Sequence, residues 1–198
     1  MVLNGTDLPD ATVEGLVRRA QGGDNEAFEA LVRQIYSQVY RWALVQTGDA
    51  DDADDVTQEV LFRLHTKLRS YKRRSQFTTW LYQVTRNAAY ELGRRRTTQL
   101  RFREKLGRME TDDTRATTVQ EQPDNAVVTA IRTLFERLPS RQRQIFDLAD
   151  LQGYTPTEIG DMLGMNPVTV RANLCKARRA IRSQLIERHP KMVEELGR

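Results

Sequence analysis

The stretch TPTEIGDMLGMNPVTVRANLCKARRAIRSQL, residues 155–185, decides the architecture of the C-terminal half of this chain. Thr155 and Glu158 have the spacing of a helix capping box, and Pro156 suits the first helical position between them. Gly164 then fits a helix C-cap, and Asn166 fits the N-cap of a second, longer helix. A short helix, a tight turn containing glycine and a longer helix, in this order, predict a helix-turn-helix.

The second helix of this pair separates an apolar side from a polar, basic side. Its apolar repeat consists of Val170, Leu174, Ala177, Ile181 and Leu185. In DNA-binding helix-turn-helix units the first turns of the second helix face base edges, and the remainder faces phosphates. Arg171 can pair with guanine and Asn173 with adenine. The residues better suited to phosphates are Arg178, Arg179 and Arg182. The alternative is a solvated basic face on a helix that only packs.

The N-terminal half contains four further stretches of helical periodicity. The first starts at Val13, the second opens near Asp24 and ends at Gly48, and residues 49–52 supply N-cap chemistry for the third. The apolar positions of the second helix are Phe28, Leu31, Val32, Ile35, Val39 and Ala43. Those of the third helix are Val56, Val60, Leu64 and Leu68. Those of the fourth helix are Phe77, Trp80, Leu81, Val84, Ala88 and Leu92. Helices with such stripes close one small core. We therefore predict an all-α chain of two small helical domains.

A change of composition separates the two domains. Residues 98–124 lose the apolar repeat and are rich in threonine, charge and turn residues, which predicts a flexible linker. The four-helix domain then covers residues 13–97, and the second domain covers residues 125–189. In the second domain Pro139 should end one helix, and Ser140 should cap the next.

Composition also bears on the class of protein. The 198 residues carry a net charge of +4, which is compatible with nucleic-acid binding. One cysteine, Cys175, permits no disulfide within the chain, and His65 and His189 lack the spacing of metal ligands. We expect no metal, no cofactor and no enzymatic activity. The chain has no apolar run of about 18 residues, so we expect no insertion into a membrane.

An acidic cluster opens the third helix and comprises Asp51, Asp52, Asp54, Asp55 and Glu59. Carboxylates are ligands for divalent metals, which would suit a metal-dependent nuclease, but no second group of ligands completes a catalytic set. The alternative is that the cluster only caps the helix and is solvated. The interpretation that we favour is a docking surface for a basic partner protein.

Aromatic and cationic residues are interleaved from Tyr71 to Arg96. Binding of single-stranded DNA requires this combination, because rings stack on unpaired bases while cations neutralise phosphates. Phe77 and Trp80 also have the spacing of core residues, and we expect Trp80 to be core rather than a base platform. Tyr71, at the edge of a basic loop, should be freer to meet DNA.

Four motifs in this order resemble those of the sigma-70 family. Residues 52–59, DADDVTQE, resemble the acidic D-A-E-D-x-x-Q-E motif of sigma region 2. Residues 77–87, FTTWLYQVTRN, followed by three arginines, are similar to its F-x-x-W-L-x-x-I-x-x-N segment. Leu138-Pro139 and the helix-turn-helix are similar to sigma region 4. With only these two domains, the chain resembles the extracytoplasmic-function (ECF, group IV) sigma factors.

The resemblance implies a protein that binds core RNA polymerase, directs it to specific promoters and assists melting of the −10 element. Implied contacts with the clamp helices of the largest polymerase subunit are Asp52, Asp55, Gln58, Glu59 and Phe62. Implied contacts with the −10 element are Tyr71, Lys72, Arg73, Arg74, Phe77, Trp80, Arg86, Asn87, Arg94 and Arg95. Implied contacts with the −35 element are Thr169, Arg171, Ala172, Asn173, Cys175, Lys176, Arg178 and Arg179.

The resemblance also implies that residues 13–97 are region 2 and that residues 125–189 are region 4. Further implied partners are the polymerase flap, promoter DNA and an anti-sigma factor. The implied location is the cytoplasm, with polymerase at the nucleoid. The main alternative is a helix-turn-helix transcription regulator that works without polymerase.

Overall fold

The computed structural model describes residues 12–105 and 133–188, and all regular structure in these ranges is helical. The chain divides into two units, Met1–Met109 and Glu110–Arg198. The predicted all-α fold with two domains is therefore confirmed. The later part of the predicted linker, residues 106–124, and the apolar residues Val127, Val128 and Ile131 lie outside the described residues, as does His189.

Within residues 12–105 the first unit has four α-helices, α1 (Val13–Gln21), α2 (Asn25–Thr47), α3 (Ala50–Lys67) and α4 (Phe77–Lys105), and a 3-10 turn (Leu68–Ser70) follows α3. The caps lie where the sequence predicts them. The Asp24 side chain accepts a hydrogen bond from the backbone N–H of Ala27, and Asp49 accepts one from Asp52. Gly48 ends α2 in the left-handed conformation, with φ of 75°, which favours glycine. Both ends of α2 and the start of α3 are thus set by local chemistry.

The core of the first unit forms where α2, α3 and α4 meet. Residues from each predicted stripe are fully buried, among them Leu31, Val39, Val60, Leu64 and Leu81. Burial of one such side chain contributes about 1.5–3 kcal/mol. Trp42, which the stripe analysis missed, is also buried, and its ring meets that of Tyr82 edge-on at 5.2 Å.

Helix α4 is longer than the sequence analysis predicts. It continues to Lys105, so that residues 98–105 of the predicted linker are helical. The segment between Gly93 and Lys105 contains no proline, and the Thr97 and Thr98 hydroxyls donate to carbonyls one turn earlier. The apolar stripe ends before this segment, so the segment loses tertiary contacts. Nothing in its sequence stops the helix, however, and the helical backbone continues.

The second unit is built around α5 (Ser140–Phe146), a π-helical turn (Asp147–Leu151), α6 (Pro156–Leu163) and α7 (Pro167–Arg188). Residues 133–136 are also helical. The expectation that Ser140 caps α5 is wrong. Pro139 occupies the N-cap position in an extended conformation, without a side-chain hydrogen bond, and its fixed φ lets the helix start at Ser140.

Helices α6 and α7 form the predicted helix-turn-helix. Both hydrogen bonds of the capping box between Thr155 and Glu158 are present, and Gly164 takes the left-handed conformation with φ of 67°. The Asn166 side chain accepts from the N–H of Val168 at 2.8 Å, which starts α7. The buried side chains that hold the pair together are Ile159, Met162, Leu163, Val170, Leu174 and Ala177. Ile181 and Leu185 are only half-buried.

Candidate functional site

Four of the five predicted docking residues share one accessible face of α3. Asp55, Gln58 and Phe62 are exposed, and Phe62 retains 66% of its accessible surface. Glu59 lies between them and is half-buried. With Ala88, Leu92 and Arg95 of α4, these residues line one open groove. Phe62 adds an exposed aromatic ring to this acidic face, and aromatic residues are enriched in protein-binding surfaces.

Asp52, the fifth predicted docking residue, does not lie on that face. It is buried, with 8% of its surface accessible, and its carboxylate forms an ion pair with Arg96 of α4. The hydrogen bond from Arg96 Nη1 to Asp52 Oδ2 measures 2.5 Å. Burial raises the pKa of the Asp52 carboxyl above its usual range, although the guanidinium opposes the shift. The ion pair between Asp52 and Arg96 therefore connects α3 to α4.

Arg63, which the sequence analysis did not single out, bridges the same two helices inside the groove. Its Nε donates to Glu59 at 2.6 Å, and its Nη2 donates to Glu91 of α4 at 2.5 Å. The hydrogen bond from Arg63 holds the pKa of Glu91 below its usual range. Glu59 and Arg63 are one helical turn apart, which is the only local signal for this bridge.

The loop after α3 packs inwards through Tyr71. Tyr71 is 9% exposed, and its ring lies 5.6 Å from that of Phe77 and 5.2 Å from that of Trp80. Its hydroxyl donates to the carbonyl of Ser75 at 2.6 Å. Burial raises the pKa of this hydroxyl. The expectation that Tyr71 is the ring free to meet DNA is wrong, since the two following aromatic residues enclose it.

Phe77 is buried at 2% exposure, whereas Trp80 is half-buried. Phe77 is therefore a core residue, as its spacing in the sequence indicates. Trp80 belongs to the core only in part. The exposed members of the predicted −10 set are Lys72, Arg73, Arg74, Asn87, Arg94 and Arg95, and Arg86 is half-buried. Tyr90 of α4 is 76% exposed and was not among the predicted contacts.

Helix α7 presents most of the predicted −35 set. Thr169, Arg171, Ala172, Cys175, Lys176 and Arg179 are exposed. Asn173 is half-buried, and its amide donates to the carbonyl of Thr169 at 2.9 Å. Arg171, Arg179 and Arg182 line a groove with Tyr154 and Pro156. A basic groove along the second helix of a helix-turn-helix suits the phosphates and bases of duplex DNA.

Arg178 of α7 has an acidic partner within its own unit, Asp150. Its Nε and Nη2 donate to the two carboxylate oxygens of Asp150 at 2.9 and 2.5 Å. This two-point ion pair joins α7 to the π-helical turn, and it raises the pKa of the guanidinium. The pair neutralises part of the charge that the sequence analysis assigned to phosphate contact.

Two further observations concern the described residues alone. In residues 12–105 and 133–188 no group of three or more histidine, cysteine or carboxylate side chains is placed to hold a metal ion. Within the same ranges none of the helices combines the length and the apolar character needed to cross a bilayer.

Comparison with known proteins connects the chain to one family. Sigma-70 region 2 matches residues 28–99, and Sigma-70 region 4 matches residues 129–181. The ECF RNA polymerase sigma factor SigL of Mycobacterium tuberculosis is 31% identical, over 83% of this chain and 94% of SigL. SigE of Mycolicibacterium smegmatis, also an ECF sigma factor, is 30% identical over 82% of this chain, but the match spans only 64% of SigE.

A solved structure shares the fold. The sigma factor RpoE of Bartonella quintana, crystallised with the anti-sigma factor NepR, aligns with a TM-score of 0.64 at 19% identity. The alignment covers 80% of this chain and 96% of RpoE. Both family regions occur in their usual order, and nearly the whole of SigL is matched. The chain therefore belongs to the extracytoplasmic-function RNA polymerase sigma factors of the sigma-70 family.

Proposed function

We propose that this protein binds core RNA polymerase, directs it to specific promoters and assists melting of the −10 element. The observation that carries the proposal is the exposed face of α3, where Asp55, Gln58 and Phe62 lie side by side. An acidic face with an accessible ring suits a basic and partly apolar partner surface. We assign it to the clamp helices of the polymerase, and we assign Glu59 to its edge.

Contacts with the −10 element are assigned to the exposed surface of α4 and the preceding loop. Asn87, Tyr90 and Arg94 recur at steps of three and four, which places them on one helical face. The exposed Tyr90 ring can stack on an unpaired base, and stacking contributes about 1–3 kcal/mol per base. Lys72 and Arg74 supply positive charge for the phosphates. From the family resemblance we also assign to the loop at residues 70–77 the capture of an unpaired base of the −10 element.

Contacts with the −35 element are assigned to the first turns of α7. Arg171 is exposed at the position from which a helix-turn-helix reads base edges. One good two-point contact discriminates between bases by about 1–3 kcal/mol. Arg179 and Lys176, further along the helix, would contact phosphates.

The remaining partners follow from the family. We propose that the chain acts as a regulatory subunit and not as a catalyst, in the cytoplasm with polymerase at the nucleoid. We also propose that region 4 contacts the polymerase flap, and that an anti-sigma factor controls the protein. The support is that RpoE, with the same fold, was captured with such a partner. A regulator that works without polymerase would leave the exposed face of α3 without a role.

In vitro transcription with purified core polymerase and a genomic promoter library tests the function. The wild-type chain should direct initiation to a small set of templates. Asp55→Arg should weaken binding to core polymerase roughly tenfold or more, because it places like charges against a basic partner. Glu29→Arg is the control, since Glu29 is an exposed acidic residue of α2 that lies outside the acidic cluster and does not line the groove. Equal binding by wild type and Asp55→Arg would contradict the docking assignment.

A further inference from the structure

Gln21, the last residue of α1, holds the loop that precedes α4. Its Nε2 donates to the carbonyls of Leu68 and Tyr71, each at 2.9 Å. Its Oε1 accepts from Arg73 Nη2 at 3.1 Å. One side chain thus reaches three positions that lie about fifty residues further along the chain. Glutamine suits this place because its amide offers both donors and an acceptor.

The loop that Gln21 holds has an unusual backbone. Arg73 has φ of 53°, which among the described residues is the one positive value outside glycine. An arginine in the left-handed region is disfavoured, because its Cβ crowds the following carbonyl. A further hydrogen bond lies within the loop, where the hydroxyl of the buried Tyr71 donates to the carbonyl of Ser75. Hydrogen bonds from α1, and ring contacts of Tyr71 with Phe77 and Trp80, therefore fix the loop at residues 71–75. Lys72 and Arg74 remain exposed.

We propose that Gln21 is a positioning residue for the −10 element: it fixes the shape of the loop at residues 71–76 and thereby its preference among −10 bases. This inference rests on the proposed function of the chain. A loop that is already ordered loses less conformational entropy when it captures a base, so discrimination depends on what orders it. Gln21 precedes Phe28, where the match to sigma region 2 begins, so α1 adds a determinant outside the matched region.

The alternative is that Gln21 only fastens α1 to the rest of the unit. Loss of the side chain would then lower stability and reduce transcription from all templates alike. The two roles differ in base preference at the −10 element, which a merely structural contact does not alter. The −35 element serves as the internal reference, since it is assigned to the other unit of the chain.

The test uses Gln21→Met, which keeps the length of the side chain and removes its three hydrogen bonds. Gln34→Ala is the control, because Gln34 is an exposed glutamine in α2. Reconstituted holoenzyme transcribes two template libraries, one randomised at the −10 element and one at the −35 element of a promoter that the wild type uses. Gln21→Met should reduce the preference ratio among −10 bases roughly two- to tenfold, the range that one hydrogen bond supports. The −35 preference should not change.

Two further measurements complete the design. Hydrogen exchange of the free protein should become faster at residues 69–76 in Gln21→Met, and not in Gln34→Ala. Gln21→Met and Arg73→Ala should also be non-additive in −10 preference, since they break the same contact. Unchanged −10 preference in a selective holoenzyme, or equal changes at both elements, would overturn the role of Gln21 alone. A wild-type chain that directs no initiation would overturn the proposed function as well.

Discussion

Replacement of Arg63 by alanine removes the bridge between α3 and α4 within the docking groove. Arg63 is largely buried, with 17% of its side chain exposed, and it lies between two carboxylates that are each 44% exposed. Alanine leaves Glu59 and Glu91 without this partner and also removes the buried methylene groups of the arginine stem. The variant should therefore destabilise the first unit while leaving the second unit unaffected.

The size of the effect lies between two limits. Hydrogen bonds to charged groups contribute about 1.5–3 kcal/mol when they are buried, whereas exposed ion pairs contribute about 0.2–1 kcal/mol. Because the arginine is enclosed but both carboxylates reach solvent, we expect a loss of about 1–2 kcal/mol. For a domain of roughly 100 residues this loss lowers Tm by about 4–16 °C.

The effect should depend on pH. The hydrogen bond from Arg63 holds the pKa of Glu91 below its ordinary value of 4.5. A lowered pKa in the folded state means that the carboxylate stabilises the fold above pH 4.5, and that this contribution disappears as the pH falls through the folded-state pKa. The difference in stability between wild type and Arg63→Ala should therefore be full at pH 7 and should shrink towards pH 3.

Thermal unfolding followed by circular dichroism and calorimetry, from pH 7 to pH 3, measures this difference. Arg94→Ala is the matched control, since Arg94 is an exposed arginine in α4. An equal loss of Tm in Arg63→Ala and Arg94→Ala at pH 7 would refute the reasoning. So would a difference between wild type and Arg63→Ala that stays the same at pH 3.

Two predictions concern the second unit. Arg179→Ala should reduce the salt dependence of promoter binding by about 0.9 in the slope of log K against log salt, because one phosphate contact is lost. Arg178→Ala should reduce it less, since Asp150 already neutralises part of that charge; equal slopes in DNA titrations from low to high salt would contradict this. Gly160→Ala should destabilise the helix-turn-helix by about 1–3 kcal/mol, because the added Cβ would lie 2.7 Å from the Met165 carbonyl oxygen. An unchanged Tm in calorimetry would show that the turn adjusts.

The sequence predicts the structure where the deciding interactions are local. The capping box at Thr155 and Glu158, and the N-caps at Asp24 and Asp49, join residues three positions apart. The apolar stripes follow from helical periodicity in the same way. Residues on one helical face, such as Asp55 and Gln58 in the docking face of α3, are likewise brought together by the geometry of a single helix.

Contacts between helices decided the rest. Asp52 and Tyr71 are buried because α4 packs over them. The residue type alone does not distinguish a buried aspartate or tyrosine from an exposed one. The hydrogen bond between Gln21 and Arg73 and the ion pair between Asp150 and Arg178 join residues far apart in the chain.

The sequence by itself thus determines the order of the helices. It also determines that two basic segments are candidates for DNA binding. Only the tertiary structure determines that Arg178 pairs with a carboxylate, and that the ring of Tyr71 is buried while that of Tyr90 is exposed. The physical reason is the range of the forces involved. Caps and periodicity act within one or two turns of one helix, whereas burial and charge pairing depend on how separate helices approach each other.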